Sequence, residues 1–292
     1  MIRSSRHPAS AWVTVILTVV AMTAFAANSI FCRLALKQEA IDALSFTTLR
    51  ISSGAAALGI FLFFSATRKK EPAALTVKMA SMLVTYALTF SLAYLSLPAG
   101  TGALILFGAV QTTMITAGVL GGERLSPVQW IGFLMAILGF IGLALPGLGA
   151  PPLQGALLMA LAGMAWGFYS LMGKKVQHPS GATALNFIYA VPLVCLFQAG
   201  SLGMTSSAIH ITPPGVLFAI LSGTLASGAG YVTWYAALKS LSASKAAIVQ
   251  LTVPVIAATG GLLFLGEPLS WRLVVCGMII LTGVGMAITS RQ

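Results

Sequence analysis

Charge is what this sequence has least of. Only 7% of its 292 residues are Asp, Glu, Lys or Arg, against about 25% in a soluble domain, so there is too little polar surface to cover a globule in water. Acids are scarcest: Glu39, Asp42, Glu71, Glu123 and Glu267 are the whole supply, and each lies in a connection or at the end of an apolar run. The three histidines, His7, His178 and His210, also fall in connections. Cysteine is limited to Cys32, Cys195 and Cys276, an odd number without tight spacing, which gives neither a disulfide framework nor a metal site. Gly-rich phosphate loops, nucleophile elbows and metal-ligand spacings are absent. The sequence therefore lacks the groups of an intramembrane enzyme, and no cofactor or metal is expected.

What is present is hydrocarbon. Hydrophobic residues make up 58% of the chain and the mean hydropathy is +0.96. Ten apolar runs approach the roughly 20 residues needed to cross a bilayer core: Ala11–Leu36, Ala43–Ser65, Val77–Leu97, Gly100–Leu120, Val128–Leu145, Leu153–Gly173, Ala182–Gly200, Pro214–Leu238, Ala246–Leu265 and Trp271–Thr289. They are too long for strands and show no period-two alternation, which predicts an all-α polytopic membrane protein of ten transmembrane helices. Short connections leave no room for a soluble catalytic module.

The net charge of +11 has a topological meaning. With the N-terminus in the cytoplasm and sides alternating, Arg3, Arg6, Arg68, Lys69, Lys70, Lys78, Arg124, Lys174, Lys175, Lys239, Lys245 and Arg291 are cytoplasmic. Only Arg33, Lys37 and Arg272 are outside, and Arg50 lies within a run. This excess of inner cations fits the positive-inside rule with both termini cytoplasmic, as in a bacterial inner-membrane protein. Nucleic-acid binding is the poorer reading, because no segment combines concentrated charge with aromatics on a soluble face. Arg3, Arg6 and the run ending at Ala24-Phe25-Ala26 also have the pattern of a cleavable signal peptide. An internal repeat argues against that reading.

Sliding the sequence by 144 positions lays Gly122-Glu123-Arg124-Leu125-Ser126 over Gly266-Glu267-Pro268-Leu269-Ser270, and a slide of 139 lays Ala26-Ala27-Asn28-Ser29 over Ala165-Trp166-Gly167-Phe168. The chain thus divides into two five-helix repeats, 1–146 and 147–292. Five is odd, so the second copy enters the membrane inverted relative to the first. Secondary transporters use this construction, with the substrate site at the repeat interface near the midplane.

Ala27-Asn28-Ser29, Leu49-Arg50, Tyr235-Ala236-Ala237-Leu238, Ala246-Ala247-Ile248, Pro254 and the two Gly-Glu-x-Leu-Ser segments together resemble the EamA repeats of the drug/metabolite transporter superfamily. Within it the chain looks most like the aromatic amino-acid exporters of the YddG type. The resemblance implies two inverted five-helix bundles, a central cavity and export of metabolites. One departure stands out: Val110-Gln111 occupies the place of Pro254-Val255 in the second half, so the halves are not expected to bend alike.

The candidate cavity residues follow from the cost of polar groups in hydrocarbon. Arg50 lies about eight residues, or roughly 12 Å, past Asp42. An arginine at the centre of a helix costs roughly 2.5–3.5 kcal/mol on insertion scales. It is either a hydrogen-bond hub between helices or a cavity charge for a substrate carboxylate. Asn28, Gln111 and Gln250 pose the same choice between packing and cavity. Pro254 cannot donate to the carbonyl of Gln250, so that carbonyl and amide together suit a substrate ammonium or amide, and Pro254 and Pro192 are candidate hinges. Tyr86, Phe90 and Tyr94 recur every four residues on one face. Trp166 with Tyr169, and Tyr231 with Trp234 and Tyr235, form further stripes, read either as packing or as walls for flat amphipathic solutes. Trp12, Trp130 and Trp271 open helices as interfacial anchors.

The expected function is export of small amphipathic metabolites, aromatic amino acids favoured, by alternating access. No intramembrane carboxylate or histidine is available as a proton relay, which favours facilitated diffusion or exchange. Other solute classes (cationic drugs, nucleobases) and a non-transporting scaffold are the alternatives. The partners are a small-molecule substrate and the bilayer, and the sequence leaves monomer and homodimer open.

Overall fold

The structure is a computed structural model, which describes residues 11–64, 73–122, 124–145, 150–173, 176, 179–204, 209–238, 240–241 and 249–289. Among them stand ten apolar helices: α1 (Ala11–Lys37), α2 (Ala43–Phe64), α3 (Ala73–Ala93), α4 (Ala99–Leu120), α5 (Pro127–Ala144), α6 (Leu153–Gly173), α7 (Pro179–Met204), α8 (Pro213–Leu238), α9 (Thr252–Leu265) and α10 (Trp271–Thr289). Eight are long and apolar enough to cross a membrane, and α5 and α9 are shorter apolar helices. The described residues hold no strand, only a single bridge between Ile41 and Ile211.

Large apolar side chains point outward as readily as inward. Phe64 is 82% exposed and Leu120 84%, which suits a surface solvated by lipid. Trp12 and Trp271, each 78% exposed, stand at helix starts as the anchoring role requires.

The repeated Gly-Glu-x-Leu-Ser segment has a physical explanation at each of its ends. Gly122 (φ 91°) and Gly266 (φ 60°) adopt the left-handed backbone that ends α4 and α9, a conformation glycine enters without a Cβ penalty. Ser126 and Ser270 then start the next helices: Ser126 Oγ accepts from Gln129 N at 3.3 Å and Ser270 Oγ from Leu273 N at 3.1 Å. Gln129 Oε1 accepts in return from Ser126 N, completing a capping box.

Two of the boundaries that differ from those read in the sequence bear on the candidate residues. α3 ends at Ala93, so Tyr94 sits in the turn beyond it. The amides of Leu95 and Ser96 close tight bonds to Leu92 O and Ala93 O, because residues approaching Pro98 leave the helical region. The ninth run, expected to start at Ala246, is broken at Leu251 and becomes α9 at Thr252; residues 242–248 lie outside those described. Pro254 is therefore the third residue of α9, just past the break at Leu251, in the turn whose amides have no helical acceptor anyway. α7 instead runs through Pro192.

Glycines set the closest helix contacts. α5 and α10 pack antiparallel, Gly132 against Gly283 and Ala287, and Gly139 against Cys276 and Ile280. A Cβ at Gly132 or Gly283 would collide with the backbone of the other helix. Gly163 and Gly167 of α6 lie against Ala109 and Thr113 of α4. The other principal contacts are α3–α6 and α3–α7, α2 with α7 and α8, α1 with α8 and α9, and α4–α9. Shifting each helix label by five turns this set of principal contacts into itself.

α8 carries the fold's main irregularity. Its central stretch, Ser222–Ala229, is π-helical, a rare geometry found mostly at functional sites. Gly223 there has no room for a Cβ, which would collide with Arg50 O and Ser53 Oγ of α2.

Candidate functional site

The centre of the molecule is built outward from Arg50. Asp42 caps α2, its Oδ1 accepting from Ser45 N at 2.8 Å, and the two turns that follow carry Arg50 into the interior, where it is 0% exposed. Its guanidinium lies over the rings of Tyr86 and Phe90, 5.2 and 5.0 Å from their centroids, within cation–π range. Nη2 donates to the Tyr86 hydroxyl at 3.1 Å and Nε to Ser227 Oγ at 3.4 Å. Nη1 is buried without a hydrogen-bond partner. None of these neighbours is an acid.

Asn28, near the middle of α1, belongs to the same network. Its Nδ2 donates to the Tyr86 hydroxyl at 3.1 Å, and its Oδ1 accepts from Ser222 Oγ at 2.5 Å. The Tyr86 oxygen thus receives two hydrogen bonds. Tyr86 and Phe90 are four apart on α3 and share a face, which is why one arginine meets both rings.

Around this network runs a chain of aromatic contacts. Trp166 lies 5.0 Å from Tyr86, 5.1 Å from Tyr169 and 5.1 Å from Tyr231, ring centre to ring centre. Phe25 packs edge-on to Tyr231 and Trp234. Together Phe25, Asn28, Tyr86, Phe90, Leu106, Phe107, Trp166, Ala226 and Tyr231 enclose a cavity of ≈ 20 Å³, room for about one water. The aromatic walls must part before an organic solute of ordinary pocket size (about 300 Å³ or more) could enter.

Five of the residues singled out in the sequence line this cavity: Asn28, Tyr86, Phe90, Trp166 and Tyr231. Arg50 adjoins it through Tyr86 and Phe90. The others stand outside the lining. Tyr169 stacks on Trp166 and its hydroxyl accepts from Asn186 Nδ2 at 3.1 Å. Trp234 supports Phe25 from behind. Tyr94 packs edge-on to Phe90 and donates to Ala99 O at 3.2 Å, fixing the start of α4. Gln111 is buried in α4 and Gln250 is half-buried ahead of α9. Phe25, Ser222 and Ser227 were not legible as site residues: small hydroxyls and a single phenylalanine are commonplace in membrane helices, and only the π-helical turn brings Ser222 and Ser227 to Asn28 and Arg50.

A second polar cluster closes one end of the bundle. Arg33 Nε and Glu267 Oε1 pair at 2.8 Å, and Arg33 Nη1 also donates to Tyr94 O and Leu95 O. Glu267 Oε2 accepts from Ala99 N, at the first turn of α4, at 2.7 Å, where the helix dipole favours a negative charge. Lys37 Nζ donates to Leu265 O. This cluster ties together α1, α4, the α3–α4 turn and the end of α9, and Arg33–Glu267 is the one ion pair among the described residues.

The fold as a whole has a solved counterpart. A crystal structure of a protein 20% identical in sequence superposes with a TM-score of 0.65, covering 95% of this chain and 99% of that one, a likeness of fold alone. In sequence, the chain is 48% identical over 278 residues to an uncharacterized protein of Pseudomonas aeruginosa, covering 95% of each. It is also 25% identical over 210 residues to a protein of Salmonella typhimurium named as a probable amino-acid metabolite efflux pump, covering 68% of this chain and 70% of the other. The sequence profile of the EamA-like transporter family matches twice, over residues 12–145 and 153–289. With matches spanning nearly all of its ten helices, the chain belongs to the EamA-like transporter family.

Proposed function

We propose that this membrane protein exports small amphipathic metabolites of the amino-acid class, aromatic ones favoured, through the cavity beside Arg50. The observation that carries the reading is a buried cation at a junction of helices from both halves of the chain, walled by aromatic rings and without an acid beside it. Burying an unpaired charge costs several kcal/mol. In membrane proteins such groups mark substrate and ion pathways. The amino-acid efflux relative supports the substrate class, and the flat walls formed by Phe25, Tyr86, Trp166 and Tyr231 support aromatic side chains within it.

Transport proceeds in this proposal by alternating access of two inverted repeats, 1–146 and 147–292, with both termini in the cytoplasm of a bacterial inner membrane. The double family match and the self-mapping helix contacts support the repeat. The ≈ 20 Å³ cavity corresponds to a closed stage of the cycle. None of the described acids, Glu39, Asp42 and Glu267, lies inside a helix to relay protons, so in this proposal the substrate runs down its own gradient or exchanges.

The direct test is counterflow of labelled tryptophan into liposomes holding the purified protein, with and without a pH gradient. Saturable counterflow that persists without the gradient is the expected result. Absence of flux removes the transport reading, and strict dependence on the gradient removes the facilitator. Cysteines placed at Ser126 and Ser270 test the repeat separately: they should label from opposite sides of the bilayer.

A further inference from the structure

The polar groups at the edge of the cavity are unequal in kind, and the inequality selects a ligand. Arg50 is surrounded by neutral partners: Tyr86, Ser227 and the face of Phe90. The nearest acid on its own helix, Asp42, is eight residues away and engaged in capping. The positive charge therefore has no counter-ion among the described residues. One donor also stands without an acceptor: Arg50 Nη1 has no partner. The Tyr86 oxygen accepts from both Asn28 and Arg50, which leaves its hydroxyl hydrogen to give. The carbonyl acceptor nearby, Asn28 Oδ1, already accepts from Ser222, which leaves it one lone pair. A ligand at this edge thus meets a full positive charge and hydrogen-bond donors.

A carboxylate is an acceptor-only anion, and an ammonium is a donor-only cation. The first takes the hydrogens of Arg50 Nη1 and the Tyr86 hydroxyl and neutralises the guanidinium; the second meets a like charge. Resting on the metabolite-transport reading above, we propose that the cavity is a receptor for the carboxylate of aromatic organic acids, with the α-amino group unneeded for recognition. Arg50 and Tyr86 hold the two carboxylate oxygens, and the rings of Trp166, Tyr231 and Phe25 receive the apolar body. Its natural substrates then include monocarboxylates without an amine as well as amino acids.

Three probes that share a phenyl ring and differ in head group separate the possibilities: 3-phenylpropanoate (carboxylate alone), phenylalanine (both groups) and 2-phenylethylamine (amine alone). Each is titrated against purified wild-type protein, read as a shift in thermal unfolding, and against tryptophan counterflow in liposomes. The expected order is 3-phenylpropanoate at least equal to phenylalanine, with 2-phenylethylamine weaker by about tenfold or more, the scale of a charge-assisted hydrogen bond. Equal or better binding of the amine overturns the receptor. Binding of phenylalanine alone, with neither single-group probe active, also overturns it while leaving amino-acid transport intact. No response to any probe, with no tryptophan counterflow, removes both readings together.

The wild-type ranking does not depend on any variant folding. Arg50→Gln adds a sharper arm: in protein that still elutes as a single species, the preference for acid over amine should disappear, and its survival would show that another group reads the carboxylate. Tyr86→Phe keeps the ring and removes the hydroxyl that holds one carboxylate oxygen, so the preference for acid over amine should narrow several-fold; an equal loss for both would point to collapse of the walls.

Discussion

Arg33 and Arg50 lie seventeen positions apart and live under opposite regimes. Arg33, at the end of the bundle, has its charge matched by Glu267 at 2.8 Å and its Nη1 bonded to two carbonyls. Arg50, at the centre, has no acid partner and keeps one nitrogen unbonded. A matched charge of the first kind closes a seam between helices. An unmatched one of the second kind is expensive, and the protein holds it through cation–π and hydroxyl contacts that leave its charge uncancelled. The comparison teaches that burial alone does not single out a charge in a membrane helix; burial without compensation does, and that is the ground for the role proposed for Arg50.

The largest effect expected from breaking this contrast is at Arg50. Arg50→Gln should lower counterflow by about 100-fold, since truncating one member of a buried charge contact costs roughly 2–5 kcal/mol, while leaving insertion intact. Glu267→Gln attacks the other regime. It strips the charge from a half-satisfied network and should destabilise the protein by about 3 kcal/mol, read in thermal unfolding. Cys32, next to Arg33 in the chain and fully buried, should become reactive toward maleimide as that end loosens; unchanged labelling and stability would show that the pair is ornamental. Tyr86→Phe should cost about 1–3 kcal/mol, because Asn28 and Arg50 both lose their acceptor. Ser126→Ala, which touches neither arginine, should cost about 1 kcal/mol through the cap of α5. Trp271→Phe at the exposed rim should stay within about 0.5 kcal/mol; a larger loss would mean that the rim carries more than anchoring.

Most of the helix layout was legible because lipid imposes a length and an absence of charge that few sequences meet by chance. α6 and α10 match their runs residue for residue. Interruptions were harder to read, since the apolar pattern continues through them. The run across Leu251 hid a break that only the position of Pro254 hints at, and Ser222–Ala229 gives no sign of its π-helical geometry beyond its small residues. In the site, Arg50, Asn28, Tyr86 and Trp166 were legible from cost and spacing. Gln111 and Gln250 carried the same signal and lie outside the cavity lining, because amide cost in hydrocarbon says that a partner exists without saying which. Glu267 was read only as part of a repeated motif, where glycine and serine do the capping and the glutamate closes onto another helix.

The π-helical turn has a mechanical consequence. Its wider turns hold more residues than an α-helical path between the same two ends of α8 would need. Were that surplus to migrate along the helix, every side chain it passed would swing by about 100° around the axis. Tyr231 and Trp234 would be cranked away from Phe25 while Phe218, on the other side of the bulge, kept its stacking on Phe31. A single slipped residue is thus enough to unbolt one wall of the chamber without unfolding the helix that carries it.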